Sequence, residues 1–115
     1  MKTPQAARVL VTGASGFLGQ GLIRTLAERR TCAHVVAVDV REVPPEQRLP
    51  GISYVTQDVR DPALEDTLAA HRIDTVVHLA SIVTPGKDSN RELEYSVDVG
   101  GTQNVLQACV QRGVA

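Results

Sequence analysis

Residues 8 to 19 read Arg-Val-Leu-Val-Thr-Gly-Ala-Ser-Gly-Phe-Leu-Gly, an apolar strand that runs straight into three glycines spaced three apart. Val9, Leu10 and Val11 form the short continuous apolar run of a parallel strand covered on both faces. Gly13 permits a sharp turn as the strand ends, and Gly16 places no side chain between the backbone and a bound phosphate. Gly19 lets the next helix lie close to the strand. A helix opening here directs unpaired N–H groups and the positive end of its dipole at an anion. The backbone from Gly16 to Gly19 is therefore expected to face a pyrophosphate, with Phe17 and Leu18 on the same first turn and Ser15 inside the loop.

A second apolar run, His34-Val-Val-Ala-Val-Asp39, ends in an acid 20 residues after Gly19. A carboxylate at that strand tip accepts hydrogen bonds from adenosine ribose hydroxyls and repels a 2′-phosphate, so Asp39 favours NAD over NADP. Val40 follows it, and Arg41 is near enough to swing toward a 2′-phosphate. The loop itself carries Ser15 where a cation would favour NADP. A solvated strand-end acid is the plain alternative for Asp39. The combination of strand, glycine loop, helix and acid carries the dinucleotide reading; the glycines alone would not.

The rest of the chain alternates helical and strand patterns. Leu18, Leu22 and Leu26, with Ile23, predict an amphipathic helix against one face of a sheet. Residues 40–51 contain Pro44, Pro45 and Pro50 and end in Gly51, so the link to the third strand, Ile52–Thr56, is expected to be short and irregular. Asp61-Pro62 suits a helix start that turns Leu64 and Leu68 inward. Asp74–His78 reads as the fourth strand, and about Glu92 to Gln111 as one long helix with Leu93, Val97, Asn104 and Ala108 on a stripe that Val105 and Cys109 widen. Gly100 and Gly101 inside it imply either a close approach or an interruption. This alternation predicts an α/β fold with a parallel sheet in the order 3-2-1-4. The crevice between strands 1 and 4 then opens at their C-terminal ends, where the glycine loop, Asp39, Asp58 and His78 to Ser81 all fall.

Thr12-Gly-Ala-Ser-Gly-Phe-Leu-Gly19 resembles the cofactor loop of the extended short-chain dehydrogenases/reductases, the NAD-dependent epimerase/dehydratase group. Gln57-Asp-Val-Arg-Asp61, His78-Leu-Ala-Ser81 and Gly101-Thr-Gln-Asn-Val-Leu106 are similar to three further markers of that family, in the same order. The resemblance implies a Rossmann-type parallel sheet with helices on both faces, here incomplete, and NAD as cofactor. It implies that the Asp58 carboxylate accepts the adenine amino group while the Val59 backbone frames the ring; capping of the turn before Pro62 is the alternative for Asp58. Leu79, Ala80 and Ser81 would line the nicotinamide ribose, with Ser81 and Thr84 near substrate. Asp98 stands where the family carries asparagine, and reads either as a ribose ligand with changed geometry or as a helix-surface acid paired with a cation.

Catalysis in this family rests on a Tyr-x-x-x-Lys pair. Tyr54 is followed four residues on by Asp58, and Tyr95 by Val99. No catalytic residue is assigned. Residues 1–115 are thus expected to be the N-terminal, NAD(P)-binding part of a longer oxidoreductase or sugar-nucleotide epimerase/dehydratase, with catalytic and substrate segments beyond Ala115. Such an enzyme oxidises a secondary alcohol by hydride transfer to nicotinamide, and the 115 residues are expected to be inactive alone. A non-catalytic nucleotide-binding redox sensor on the same fold is the alternative. An S-adenosylmethionine-dependent methyltransferase would need a closer Gly-x-Gly pair.

A net charge of −1 gives no electrostatic footprint for nucleic acid or an anionic membrane. Cys32 and Cys109 lack metal-type spacing and read as buried or half-buried thiols of a reducing, cytoplasmic compartment. His34, His71 and His78 form no metal motif; His71 is placed in a solvated loop, and His78 as a packing residue bonded to backbone. Gly86-Lys87 fails as a P-loop, since Ser81 and Asp88 occupy its other key positions. A small-molecule substrate is expected, as is a homodimer through the helix 92–111. The strand-4 edge and the stripe of that helix are expected to lack cover, so that the chain folds poorly alone.

Overall fold

The computed structural model describes residues 6–30, 32–80 and 91–114. Four parallel strands, β1 (Arg8–Thr12), β2 (His34–Asp39), β3 (Ile52–Thr56) and β4 (Thr75–His78), lie in the order β3-β2-β1-β4, as expected. Side chains alternate between faces with period two. Val9, Val11, Val35 and Ala37 pack beneath α1 (Phe17–Arg29). Leu10, Val36 and Val38 pack against Leu64 and Leu68 of α2 (Leu64–Ala70) and Val105, Ala108 and Cys109 of α4 (Thr102–Arg112). The chain steps one way from β1 to β2 and back the other way from β3 to β4. One handedness of crossover therefore puts α1 and α2 on opposite faces.

Several expectations need correction. Leu18 is not on the buried stripe of α1: it is 70 % exposed, and the inward row is Gly19, Leu22, Ile23 and Leu26. The helix after Pro62 begins at Leu64; the Asp61 side chain accepts from the Ala63 N–H at 2.8 Å, closing a turn ahead of the helix. The long helix is interrupted: α3 (Arg91–Tyr95) passes into a π-helical stretch, Ser96–Gly101, before α4 begins. A Cβ on Gly101 would lie 2.6 Å from Val59 Cγ2, so this glycine is where the helix closes on the loop after β3. The inward stripe of α4 is covered by α2 and the sheet, and what stays exposed is its outer row, Leu106 and Val110, with Tyr95 and Leu93 on α3. His71 caps the end of α2, and its Nδ1 lies 3.1 Å from His34 Nε2 instead of in a solvated loop.

The link between β2 and β3 contains one 3-10 turn, Pro45–Gln47, and is otherwise irregular, as the prolines demand. Among the described residues no helix is long and apolar enough to cross a membrane.

Candidate functional site

Every element that matters to the site ends at the same edge of the sheet. β1 delivers Gly13 with φ +68°, a conformation open to glycine, and a Cβ there would lie 2.7 Å from the Ala80 nitrogen. The turn at the end of β1 is thereby pressed onto the end of β4. A Cβ on Gly19 would collide with the Gly13 carbonyl and lie 2.8 Å from Ala14 Cα, so α1 rests directly on the loop. Gly16 is different: its Cβ would meet nothing closer than the Gly13 carbonyl at 3.4 Å, and the residue is exposed. Two glycines serve the fold and the middle one leaves the loop's outer side bare.

Gly16 is the N-cap of α1 and supplies no side-chain acceptor, and no acid stands in the first turn. The helix's leading N–H groups and dipole therefore keep their affinity for an external anion. Phe17 is 94 % exposed beside them. The Ser15 hydroxyl oxygen is shielded from solvent and has no hydrogen-bond partner. An orphaned hydroxyl, an uncapped helix end and a bare glycine together match the needs of a phosphate-bearing ligand.

Asp39, at the tip of β2, spans the gap to this loop. One carboxylate oxygen accepts from the Ser15 N–H at 2.9 Å and the other from the Arg41 N–H at 3.0 Å. Asp39 thus positions the loop as well as presenting negative charge beside it. Gln20 holds the loop from the helix side, its amide donating to the Ser15 carbonyl at 2.8 Å. Val40 and Arg41 are exposed at the same rim.

Asp58 and Val59 follow β3. The Arg60 guanidinium lies 2.6 Å from the Asp58 carboxylate and holds its pKa below the ordinary carboxylate value, with desolvation opposing. Asp58 also accepts from the Arg60 N–H at 2.8 Å, which is the turn-capping contact; its side chain remains 33 % exposed. The Val59 side chain is buried in the core and its carbonyl accepts from Asn104 at 2.7 Å.

Leu79 and Ala80 continue from β4, and both of their N–H groups reach Thr12 Oγ1, at 3.0 and 3.2 Å. Thr12 is fully buried, and His78 Nδ1 lies 2.7 Å from the same oxygen. The other ring nitrogen, Nε2, lies 3.0 Å from Thr102 Oγ1. The expected backbone partners of His78 are replaced by two hydroxyls, because β1 and α4 bring threonines to either end of the ring. Burial holds its pKa below the ordinary histidine value, opposed by the charge of Asp98. Asp98 sits half-buried in the π-helical stretch. Ser81, Thr84 and the Pro85-Gly86-Lys87 segment lie outside the described residues.

Thr12, Thr102 and Asn104 stand inside the motifs of the sequence, yet their hydrogen-bonding work is visible only in the structure. Asn104 donates to the carbonyls of Val59 and Asp61, at 2.7 and 2.8 Å, and so staples the loop after β3 to α4. The available signal was a polar side chain on the inward stripe of a helix. Among the described residues no group of three or more His, Cys, Asp or Glu side chains converges as a metal site would.

A parallel sheet in this order, with a glycine loop and a strand-end acid at its switch point, defines a Rossmann-type domain of the extended short-chain dehydrogenase/reductase kind. The model of the 3-beta hydroxysteroid dehydrogenase/isomerase family matches residues 10–115, and the chain belongs to that family. It is 38 % identical to short-chain dehydrogenase/reductase family 42E member 1 of Xenopus laevis, over 99 % of this chain and 29 % of the relative. It is 37 % identical to a 3-beta-hydroxysteroid dehydrogenase of Mycolicibacterium neoaurum, over 93 % of this chain and 30 % of that one. The UDP-glucose 4-epimerase of Thermus thermophilus, solved in complex with NAD, superposes with a TM-score of 0.81 at 30 % identity, covering 93 % of this chain and 35 % of the epimerase. The chain thus spans about a third of the length of the proteins it matches.

Proposed function

We propose that this chain is the NAD-binding N-terminal part of a longer oxidoreductase that oxidises a secondary alcohol. The observation that carries the proposal is the opening of α1. Its N-terminus has no side-chain cap, Gly16 leaves its approach clear, and the neighbouring Asp39 is tied to the loop through Ser15. The backbone of residues 16–19 would hold the diphosphate, and the buried Ser15 hydroxyl would gain its missing partner there. Asp39 keeps acceptor capacity beyond its two backbone bonds and would take the ribose hydroxyls while repelling a 2′-phosphate. Asp58 and Val59 would border the adenine; Leu79, Ala80 and Ser81 would border the nicotinamide end. NAD, when bound, would supply the hydride acceptor, and no described residue is placed as the catalytic base.

Family membership supports a hydroxyl on a steroid-like ring as the substrate class, and the epimerase likeness supports a sugar nucleotide. The outer row of α4 is the surface for a second copy. Titration with NAD, NADP and S-adenosylmethionine under identical conditions tests the cofactor assignment. NAD should bind best and be weakened by Asp39→Ala and by Gly16→Val. Equal affinity for NADP would refute the reading of Asp39 and Arg41.

A further inference from the structure

His78 carries a hydrogen-bond arrangement whose direction can be worked out completely. The Thr102 hydroxyl lies 2.5 Å from the Asp98 carbonyl oxygen. A carbonyl cannot donate, so the single Thr102 proton points at Asp98 and the same hydroxyl must accept from His78 Nε2. Nε2 therefore bears the proton, and in a neutral ring Nδ1 is bare. The Thr12 proton then goes to Nδ1, while its two lone pairs take the Leu79 and Ala80 N–H groups. The Leu79 N–H is shared, reaching the Thr12 carbonyl oxygen at 3.2 Å as well as the hydroxyl.

We infer that neutral His78, locked as its Nε2–H tautomer, is a positioning residue that fixes the end of β4 against the glycine turn and ties both to the start of α4. The chain of bonds runs from Leu79 and Ala80 through Thr12, His78 and Thr102 to the Asp98 carbonyl. Around the ring, β1 contributes the Thr12 hydroxyl, α4 the Thr102 hydroxyl, and the π-helical stretch the Asp98 carboxylate. Protonation at Nδ1 puts a second donor against Thr12, whose lone pairs are both occupied. Thr12 is fully buried, so no solvent accepts the displaced proton. One backbone N–H must let go of the hydroxyl, either that of Ala80 or that of Leu79, which then leans wholly on the Thr12 carbonyl, and both belong to the segment packed on Gly13. The device is thus a proton-sensitive clamp on the crevice between β1 and β4.

The tautomer and protonation arguments are independent of any ligand; only their effect on affinity rests on the proposed NAD site. Nitrogen-15 NMR of the ring in the 115-residue chain, from pH 8 to pH 5, tests the first part. It should show a bare Nδ1 and a protonated Nε2 at neutral pH, with protonation postponed to below the ordinary histidine range. Thr102→Val removes the acceptor at Nε2 but leaves both Thr12 lone pairs occupied, so the tautomer should persist. A protonated Nδ1 at neutral pH, in the native chain or in Thr102→Val, or a midpoint at or above the ordinary histidine value would each overturn the inference. Calorimetric titration with NAD over the same pH range should show affinity falling about fivefold, the cost of one buried hydrogen bond, in step with the His78 signal. Binding that is independent of the ring's titration would refute the clamp. Absence of NAD binding at every pH would refute the cofactor proposal and, with it, the affinity effect, while leaving the tautomer result to stand or fall by NMR.

Discussion

Adding one methyl group to Gly16 or to Gly19 should have opposite consequences, although the two residues sit one helical turn apart. In Gly19→Ala the new Cβ meets the Gly13 carbonyl and the Ala14 backbone, the latter at 2.8 Å. Neither atom can yield as a side chain would, because Gly13 is itself wedged against the backbone of Ala80. Overpacking of this kind costs about 3 kcal/mol, and the better helix propensity of alanine returns about 1, leaving a net loss of about 2 kcal/mol. With a urea dependence of about 1 kcal/mol per molar for a chain this small, the midpoint should fall by about 2 M or the cooperative transition should vanish. In Gly16→Ala the Cβ lies 3.4 Å from its nearest neighbour and the backbone, at φ −73° and ψ 171°, suits any residue. Alanine is a poorer N-cap than glycine, but it also restricts the unfolded chain, and the two effects cancel to within about 0.5 kcal/mol. The same methyl stands where a diphosphate would approach, so NAD affinity should fall about tenfold or more, about 1.4 kcal/mol. Urea unfolding followed by circular dichroism, paired with calorimetric NAD titration, reads both quantities. Equal destabilisation by the two substitutions would refute the division of labour among the glycines.

Acid should weaken the fold. Burial, Arg8 and His71 hold the His34 pKa below its ordinary 6.5, and burial does the same for His78, so the unfolded chain binds these protons first. Stability is then complete above about pH 6.5 and is lost as the pH falls below it, with His34→Gln flattening part of the slope; a urea midpoint that rises on acidification would contradict this. Replacing Asn104 by alanine removes two hydrogen bonds and should cost about 2 kcal/mol in thermal unfolding, and Asn104→Asp should cost more because a carboxylate cannot donate to two carbonyls. The 115-residue chain should self-associate through the outer row of α4, and Val110→Lys should reduce its mass in light scattering; a sharp monomeric NMR spectrum of the unmodified chain would speak against that surface.

The architecture could be read from the chain because its signals are local. A run such as Val-Leu-Val followed by glycines, or Asp39 closing an apolar stretch, states a period and a stop within a few residues. With the strands in the order 3-2-1-4, crossover handedness then sets both layers of helix. The extent of the π-helical stretch could not be read this way: the two glycines allowed a break without locating it, and the contact of Gly101 with Val59 joins positions more than forty residues apart. The same holds for Leu18, which fits the helical repeat yet faces outward because Gly19 brings the helix so near the loop. The work of Thr12, His78, Thr102 and Asn104 depends on which hydroxyl or carbonyl stands opposite each polar atom. Periodicity reports how a residue faces its own element, but a hydrogen bond needs two partners in one place, and only the folding of β1, β4 and α4 onto one another supplies the second.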